Sequence, residues 1–215
     1  MVKRNLATRI QKRADRARVA LEIDAAQKLA AYVELLQRWN VRINLTALAD
    51  NDEGLDRLII EPLSAAKHLP GTGSLIDIGS GGGSPALPLK IVKPGVTLRM
   101  VESKTRKGAF LREAVRELKL PSVEVDVCRY EELLARPELH ENHDVLTVRA
   151  VRIERTALRN LQAFVRPGGL LGLLRGGGVA ADALREVQPP LVWEATYPLI
   201  ESLRSQLIVL RKLKH

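Results

Sequence analysis

Leu75-Ile76-Asp77-Ile78-Gly79-Ser80-Gly81-Gly82-Gly83-Ser84-Pro85-Ala86-Leu87-Pro88 is the stretch whose reading decides the fold. An apolar β-run carries an acid near its end, breaks into glycines, and restarts with Pro85 at a helix-opening position. That pattern predicts a strand, a tight turn and a helix N-terminus, the start of a nucleotide-binding βα unit. Gly79, Gly81, Gly82 and Gly83 tolerate positive φ and let backbone N–H groups approach a ligand closely. Only the first part of the dinucleotide fingerprint is present. Gly79-x-Gly81 is followed by Ser84, where a third glycine would pack helix on sheet over a pyrophosphate.

Twenty-five residues after Asp77 stands Glu102, closing the apolar run Val96-Thr97-Leu98-Arg99-Met100-Val101. In a doubly wound sheet that carboxylate lies at the C-terminal edge of the neighbouring strand, where it can accept both hydroxyls of a ribose. A glycine turn plus a ribose-binding acid, without a full pyrophosphate loop, suits a nucleoside with a charged tail. S-adenosylmethionine is the candidate; a glycine-rich connection with no ligand is the alternative.

Working outward, alternating strands and helices from Ser74 predict a parallel sheet with crossover helices. Strands are expected at 74–78, 97–101, 122–127, 144–148, 169–174, 191–197 and 205–212. Helices are expected at 85–92, 105–118, 130–135, 154–164 and 179–187, with Pro167-Gly168-Gly169 turning into the fifth strand. The last two strands have no helix between them, so a hairpin would make the final strand antiparallel. Seven strands ending that way describe a class I methyltransferase sheet better than a dehydrogenase one. Before the boundary Pro70-Gly71-Thr72-Gly73, a helical extension covers residues 1–72, and the α/β domain covers 73–215. In the extension, Ile23 to Val41 is amphipathic, with Leu29, Tyr32, Val33, Leu36 and Trp39 at three- and four-residue spacing and Asp24 as N-cap. A further helix is expected over Glu53 to His68.

Composition bounds the partner. The 215 residues carry 34 Lys+Arg against 25 Asp+Glu, a formal net charge of +9. Such an excess favours a polyanion, most commonly nucleic acid, with a solvated basic surface as the alternative. Aromatic content of 3% argues against base-stacking platforms. The single Cys128 excludes an internal disulfide and a cysteine metal cluster, and fits a reducing cytoplasm. No apolar run approaches the ~20 residues needed to span a bilayer, and the basic N-terminus lacks the apolar stretch of a signal peptide. Lys3, Arg4, Arg9, Lys12, Arg13, Arg16 and Arg18 face one acid, Asp15, in the first segment. This segment reads either as an RNA-phosphate arm or as a solvated helix.

These motifs, in this order, resemble one family: the bacterial small-subunit ribosomal RNA guanine-N7 methyltransferases, also called the glucose-inhibited division protein B family. Trp39-Asn40 with Asn44-Leu45-Thr46 resembles its N-terminal signature, and Asp77 through Leu89 its glycine loop. Glu102-Ser103 with Arg106-Lys107 and Phe110-Leu111 resembles its acidic strand end and following helix. Arg129-Tyr130-Glu131 resembles its adenine-side turn, Val148-Arg149-Ala150 the end of its fourth strand, and Arg175-Gly176 the end of its fifth. The similarity runs from about Tyr32 to Gly176. Leu58 stands where the family has a histidine, Glu61-Pro62 where it has Asp-Ser, Ala86 for a glycine, Val148 for a serine and Arg175 for a lysine.

The resemblance implies S-adenosylmethionine as methyl donor, 16S ribosomal RNA or the small ribosomal subunit as partner, a cytoplasmic monomer, and guanine N7 as target. Because that nitrogen carries no proton in RNA, no general base is required. A sequence without a convincing catalytic His or Cys is consistent with this, and His68, His140, His143 and His215 are expected at the surface. No metal is expected. The cofactor-binding set is then Asp77, Gly79, Gly81, Gly83, Ser84, Glu102, Ser103, Lys104, Tyr130, Glu131 and Arg149. The resemblance places Arg149 at the cofactor's edge facing the base, as the catalytic candidate. Arg152, Arg155 and Arg159 recur at three and four residues, and with Arg175 and the N-terminal arm they are expected to form an RNA-phosphate track; an exposed face partly neutralised by Glu154 is the alternative. Two alternatives stay open: a methyltransferase with another substrate, and a non-catalytic RNA-binding or assembly factor that kept the fold.

Overall fold

The computed structural model describes residues 2–46, 51–149, 154–176 and 185–214. Its seven strands are β1 (Gly73–Ile78), β2 (Val96–Val101), β3 (Val123–Asp126), β4 (His143–Arg149), β5 (Val165–Arg175), β6 (Leu191–Ile200) and β7 (Ser205–Lys212). They form one sheet in the order β3-β2-β1-β4-β5-β7-β6. β1 to β5 pair in parallel, and β7 lies antiparallel between β5 and β6. The reversal between β6 and β7 is a short turn in which Arg204 takes φ 46°, as expected for two strands with no helix between them. Strand order changes direction between β1 and β4, and in open α/β sheets ligands bind in the crevice outside the carboxyl ends at that point.

β1 and β4 read as near-continuous apolar runs because both their faces are covered. One face carries Ile76, Ile78, Leu146, Val148, Leu171 and Leu173. It packs against the short helices α7 (Tyr130–Leu133) and α8 (Arg155–Leu161). The opposite face carries Leu75, Leu98, Met100 and Val145. It lies under α5 (Ala86–Val92), α6 (Thr105–Glu117) and the N-terminal helices α1 (Val2–Arg16) and α2 (Ile23–Ile43). α2 buries Ala26, Leu29, Ala30, Val33 and Leu36 along one stripe, and Trp39 meets Phe110 of α6 edge-on at 5.8 Å.

Several local expectations are corrected. α2 starts at Ile23 with Glu22, not Asp24, as N-cap. α5 opens at Ala86, with Pro85 as its cap. Pro167-Gly168-Gly169 lies inside β5, where the pairing jumps from Val165↔His143 to Leu170↔Val145. The helix expected over 53–68 is three pieces: α3 (Asp52–Leu55), a π turn (Asp56–Ile60) and α4 (Glu61–Ala66). His143 is buried, its Nδ1 3.1 Å from the Phe164 carbonyl oxygen, because it begins an interior strand. The helix expected at 179–187 falls largely outside the described residues. Among the described residues, no helix is long and apolar enough to cross a membrane.

Candidate functional site

The glycine turn after β1 is held from three directions. The N–H groups of Gly79 and Ser80 both donate to the Val101 carbonyl at the end of β2, at 2.9 and 3.1 Å. The Tyr32 hydroxyl of α2 donates to the Gly82 carbonyl at 2.6 Å. Gly83 sits at φ 90°, and a Cβ there would lie 2.5 Å from Leu87 Cδ1, so both conformation and space demand glycine.

Glu102 closes the turn. Its Oε2 accepts the Gly81 N–H at 2.9 Å and its Oε1 the Lys104 N–H at 2.8 Å. The carboxylate is 6% exposed and fixed by backbone on both oxygens, yet each oxygen retains acceptor capacity for a hydroxyl. That is the geometry a ribose diol needs, with the acid oriented before any ligand arrives. Beside it a cleft of about 200 Å³ opens at the carboxyl edge, lined by Ile78, Gly79, Val101, Ser103, Arg129, Tyr130, Glu131 and Val148, with Cys128, Ala157 and Leu161 completing the wall. One side is apolar and the rim is polar, the character of a pocket for a purine ring. Burial pushes the Cys128 thiol up, which disfavours the nucleophilic thiolate.

A second group lies on the other face of the same edge. Asp77 is 1% exposed. Its Oδ1 accepts the Thr147 hydroxyl at 2.6 Å, and its buried Oδ2 has no hydrogen-bond partner among the described residues. Burial raises its pKa to about 6, against the pull of the Thr147 and Ser80 hydroxyls and the Arg149 charge. A buried carboxylate oxygen without a donor suits a cationic ligand group. Arg149 Nη1 donates to the Arg57 carbonyl and to Ser84 Oγ, both at 2.8 Å, and the Ser84 hydroxyl donates to the Leu58 carbonyl at 2.8 Å. Glu61, 2% exposed, lies 3.9 Å from Arg57 Nη1, and burial raises its pKa.

The sequence-derived set therefore divides. Gly79, Ser103, Tyr130 and Glu131 line the cleft. Gly81, Glu102 and Lys104 form the clamp beneath it. Asp77, Ser84 and Arg149 stand on the opposite face. Cys128, Ala157 and Leu161 escaped the sequence reading; the four-residue spacing of Ala157 and Leu161 on a helix beside the site was the available signal.

Of the residues expected in a phosphate track, one is buried. Arg175 is 7% exposed, at the end of a strand flanked on both sides, so it offers no surface charge. Arg155 pairs with Glu186 at 3.5 Å, Arg159 is exposed, and Arg152 lies outside the described residues. Arg9 and Arg13 of α1 are engaged by Asp52 and Asp56, stapling the helix to α3 and the π turn.

Order 3-2-1-4-5-7-6 with an antiparallel β7, a glycine turn after β1 and an acid after β2 define a class I S-adenosylmethionine-dependent methyltransferase fold. The chain belongs to the GidB family, rRNA small subunit methyltransferase G, whose model matches residues 25–203. It is 36% identical over 179 residues to ribosomal RNA small subunit methyltransferase G of Neisseria meningitidis serogroup C / serotype 2a, covering 82% of this chain and 79% of that one. Identity is 38% over 160 residues with the protein of the same name from Stenotrophomonas maltophilia, covering 74% and 73%. Among solved structures, a point mutant of MtNAS in complex with S-adenosylmethionine shares the fold at TM-score 0.58 and 15% identity, over 95% of this chain and 88% of that one. TrmN from Thermus thermophilus does so at TM-score 0.58 and 18% identity, over 83% and 52%.

Proposed function

We propose that this protein transfers a methyl group from S-adenosylmethionine to N7 of a guanine in 16S ribosomal RNA, acting as a cytoplasmic monomer. The observation that carries the reading is the pre-oriented Glu102 clamp beside the cleft of about 200 Å³ at the β1/β4 switch point. When bound, S-adenosylmethionine supplies a methyl group on a sulfonium, an electrophile that the unprotonated guanine N7 attacks without a base.

The chain's own residues then bind, orient and exclude water. Glu102 holds the ribose hydroxyls, while Val101, Val148 and Leu161 cover the purine, with Tyr130 and Glu131 at its rim. Asp77 Oδ2 accepts from the methionine ammonium group. Gly79, Gly81, Gly83 and Ser84 keep the turn close beneath the ligand, and Ser103 and Lys104 flank the sugar. Arg149 faces the target base, where a guanidinium can donate to guanine O6. RNA contact falls to cations at the cleft rim. Lys104, Arg106 and Arg129 are exposed and carry no salt bridge to a described residue; Arg159 extends this surface. Residues 1–72 act as a helical extension that pins the glycine turn of the 73–215 catalytic domain through Tyr32.

Mapping N7-methylguanine in 16S ribosomal RNA from a strain lacking the gene tests the reading directly. The modification is expected to vanish and to return with the wild-type gene. Its persistence, together with wild-type binding of S-adenosylmethionine in a calorimeter, would transfer the activity to another substrate. Absence of binding would leave an RNA-binding factor on a methyltransferase fold.

A further inference from the structure

Pro62 stands inside a helix, and the backbone around it shows what the proline does. The Glu61 N–H donates to the Asp56 carbonyl, five residues back, so the register is π through Asp56–Ile60 before it returns to α over Glu61–Ala66. In the π register residue 62 would donate to the Arg57 carbonyl; in the α register it would donate to that of Leu58. Pro62 has no N–H. The change of register thus leaves both carbonyls facing the same absent donor, and a covered carbonyl needs a partner. Two side chains from distant parts of the chain supply it. Arg149, at the end of β4, donates Nη1 to the Arg57 carbonyl, and Ser84, at the end of the glycine turn, donates its hydroxyl to the Leu58 carbonyl, each at 2.8 Å. Arg149 Nη1 also donates to Ser84 Oγ at 2.8 Å, closing the arrangement into one unit. From the other side the π turn is anchored by Asp56, which accepts Arg13 Nε at 2.6 Å.

We propose that Pro62 is a positioning residue for methyl transfer: by withholding one N–H it frees the Arg57 and Leu58 carbonyls to hold the Arg149 guanidinium and the Ser84 hydroxyl at the donor site. This rests on the methyltransferase reading above and deepens it. The neutral Arg57 carbonyl fixes the guanidinium by a hydrogen bond, while the buried Asp77 and Glu61 carboxyls lie near enough to feel its charge. An N–H restored at residue 62 competes for one of the two carbonyls in either register. The Ser84 hydroxyl or the Arg149 guanidinium then loses its acceptor, and the end of the glycine turn is no longer fixed.

The test is a double-mutant cycle between Pro62→Ala and Ser84→Ala, read by calorimetric titration of the full-length protein with S-adenosylhomocysteine, alongside thermal melts. A proline-to-alanine change in a helix favours the helix, so Pro62→Ala is expected to melt no lower than wild type while binding about tenfold more weakly. Ser84→Ala is expected to lose about the same factor, and the double variant no more than either single one, since one unit is removed once. A purely structural proline would give no such coupling. Wild-type affinity in Pro62→Ala, or losses that multiply in the double variant, overturns the proposal. If Pro62→Ala does not fold, Pro62→Ser supplies the same N–H; failure of both to fold also overturns it, because the fold and not the site would then require the proline. Absence of binding by the wild type refutes the methyltransferase reading itself, an outcome distinct from an unaffected Pro62→Ala.

Discussion

On the β1–β2–β3 side the site is made of backbone. The Val101 carbonyl holds the turn, the N–H groups of Gly81 and Lys104 hold Glu102, and the cleft wall is strand ends and α7. On the β4–β5 side it is made of long side chains reaching across the fold, where Arg149 meets a carbonyl 92 positions away in the chain. The first half is fixed mostly by neighbours within one sheet, with the Tyr32 hydroxyl added from α2. The second depends on the N-terminal helices being docked, because Arg57, Leu58 and Glu61 belong to them. The half around Glu102 is thereby built largely into the sheet, whereas the half that holds Ser84 and Arg149 is assembled only when the extension is in place.

That contrast can be broken most decisively at Glu102. Glu102→Ala removes the proposed ribose acceptor and leaves the Gly81 and Lys104 N–H groups without their carboxylate. An about 100-fold loss of affinity for S-adenosylmethionine is expected by calorimetry; an unchanged affinity would dissolve the donor half as described. Gly83→Ala comes next, with about 2–3 kcal/mol lost in urea unfolding from positive φ plus the Leu87 clash. Gly81→Ala, at φ 54° with nothing nearer than 3.7 Å, should lose about 1 kcal/mol. Equal losses would show that the turn is not shaped by packing on α5.

Asp77→Asn sharpens the comparison through pH. The folded-state pKa of about 6 lies above the ordinary 3.8, so the native state binds the extra proton more tightly than the unfolded chain. The resulting stability is fully present below about pH 4 and is lost as pH rises to about 6. The neutral Asn variant should therefore melt higher than wild type at pH 7, with the gap closing toward pH 4. Ammonium capture has the opposite demand, so wild-type donor affinity should rise through pH 6 and that of the variant should not. The smallest effect belongs to the surface. Lys104→Ala with Arg106→Ala is expected to weaken binding of a 16S fragment about threefold and to flatten its salt dependence, with donor affinity unchanged in Arg106→Ala alone.

Much of the glycine turn and its Glu102 clamp was legible because the determinants are local. Asp77, the glycines and Glu102 announce a strand, a turn and a second strand end, and parallel pairing sets those ends side by side. The wall residues Cys128 and Leu161 were not, since an apolar side chain beside a cleft reads like any other core residue. On the other face, the resemblance singled out Arg149 while its partners were hidden. A backbone carbonyl leaves no mark in a sequence, and only the π turn exposes those of Arg57 and Leu58. The same limit explains the basic track: Arg9, Arg13 and Arg155 look free until folding brings Asp52, Asp56 and Glu186 within reach.

The order of strands and helices, the antiparallel last strand and the placing of Glu102 beside the glycine turn follow from the amino-acid sequence, because hydrophobic period, glycine placement and chain connectivity are read over short distances. Which cations face water, which carboxylate keeps a buried oxygen unclaimed, and how one proline ties two distant side chains together were decided by tertiary structure. Those properties depend on which groups lie a few ångströms apart in space, and in the chain those groups are tens of residues apart.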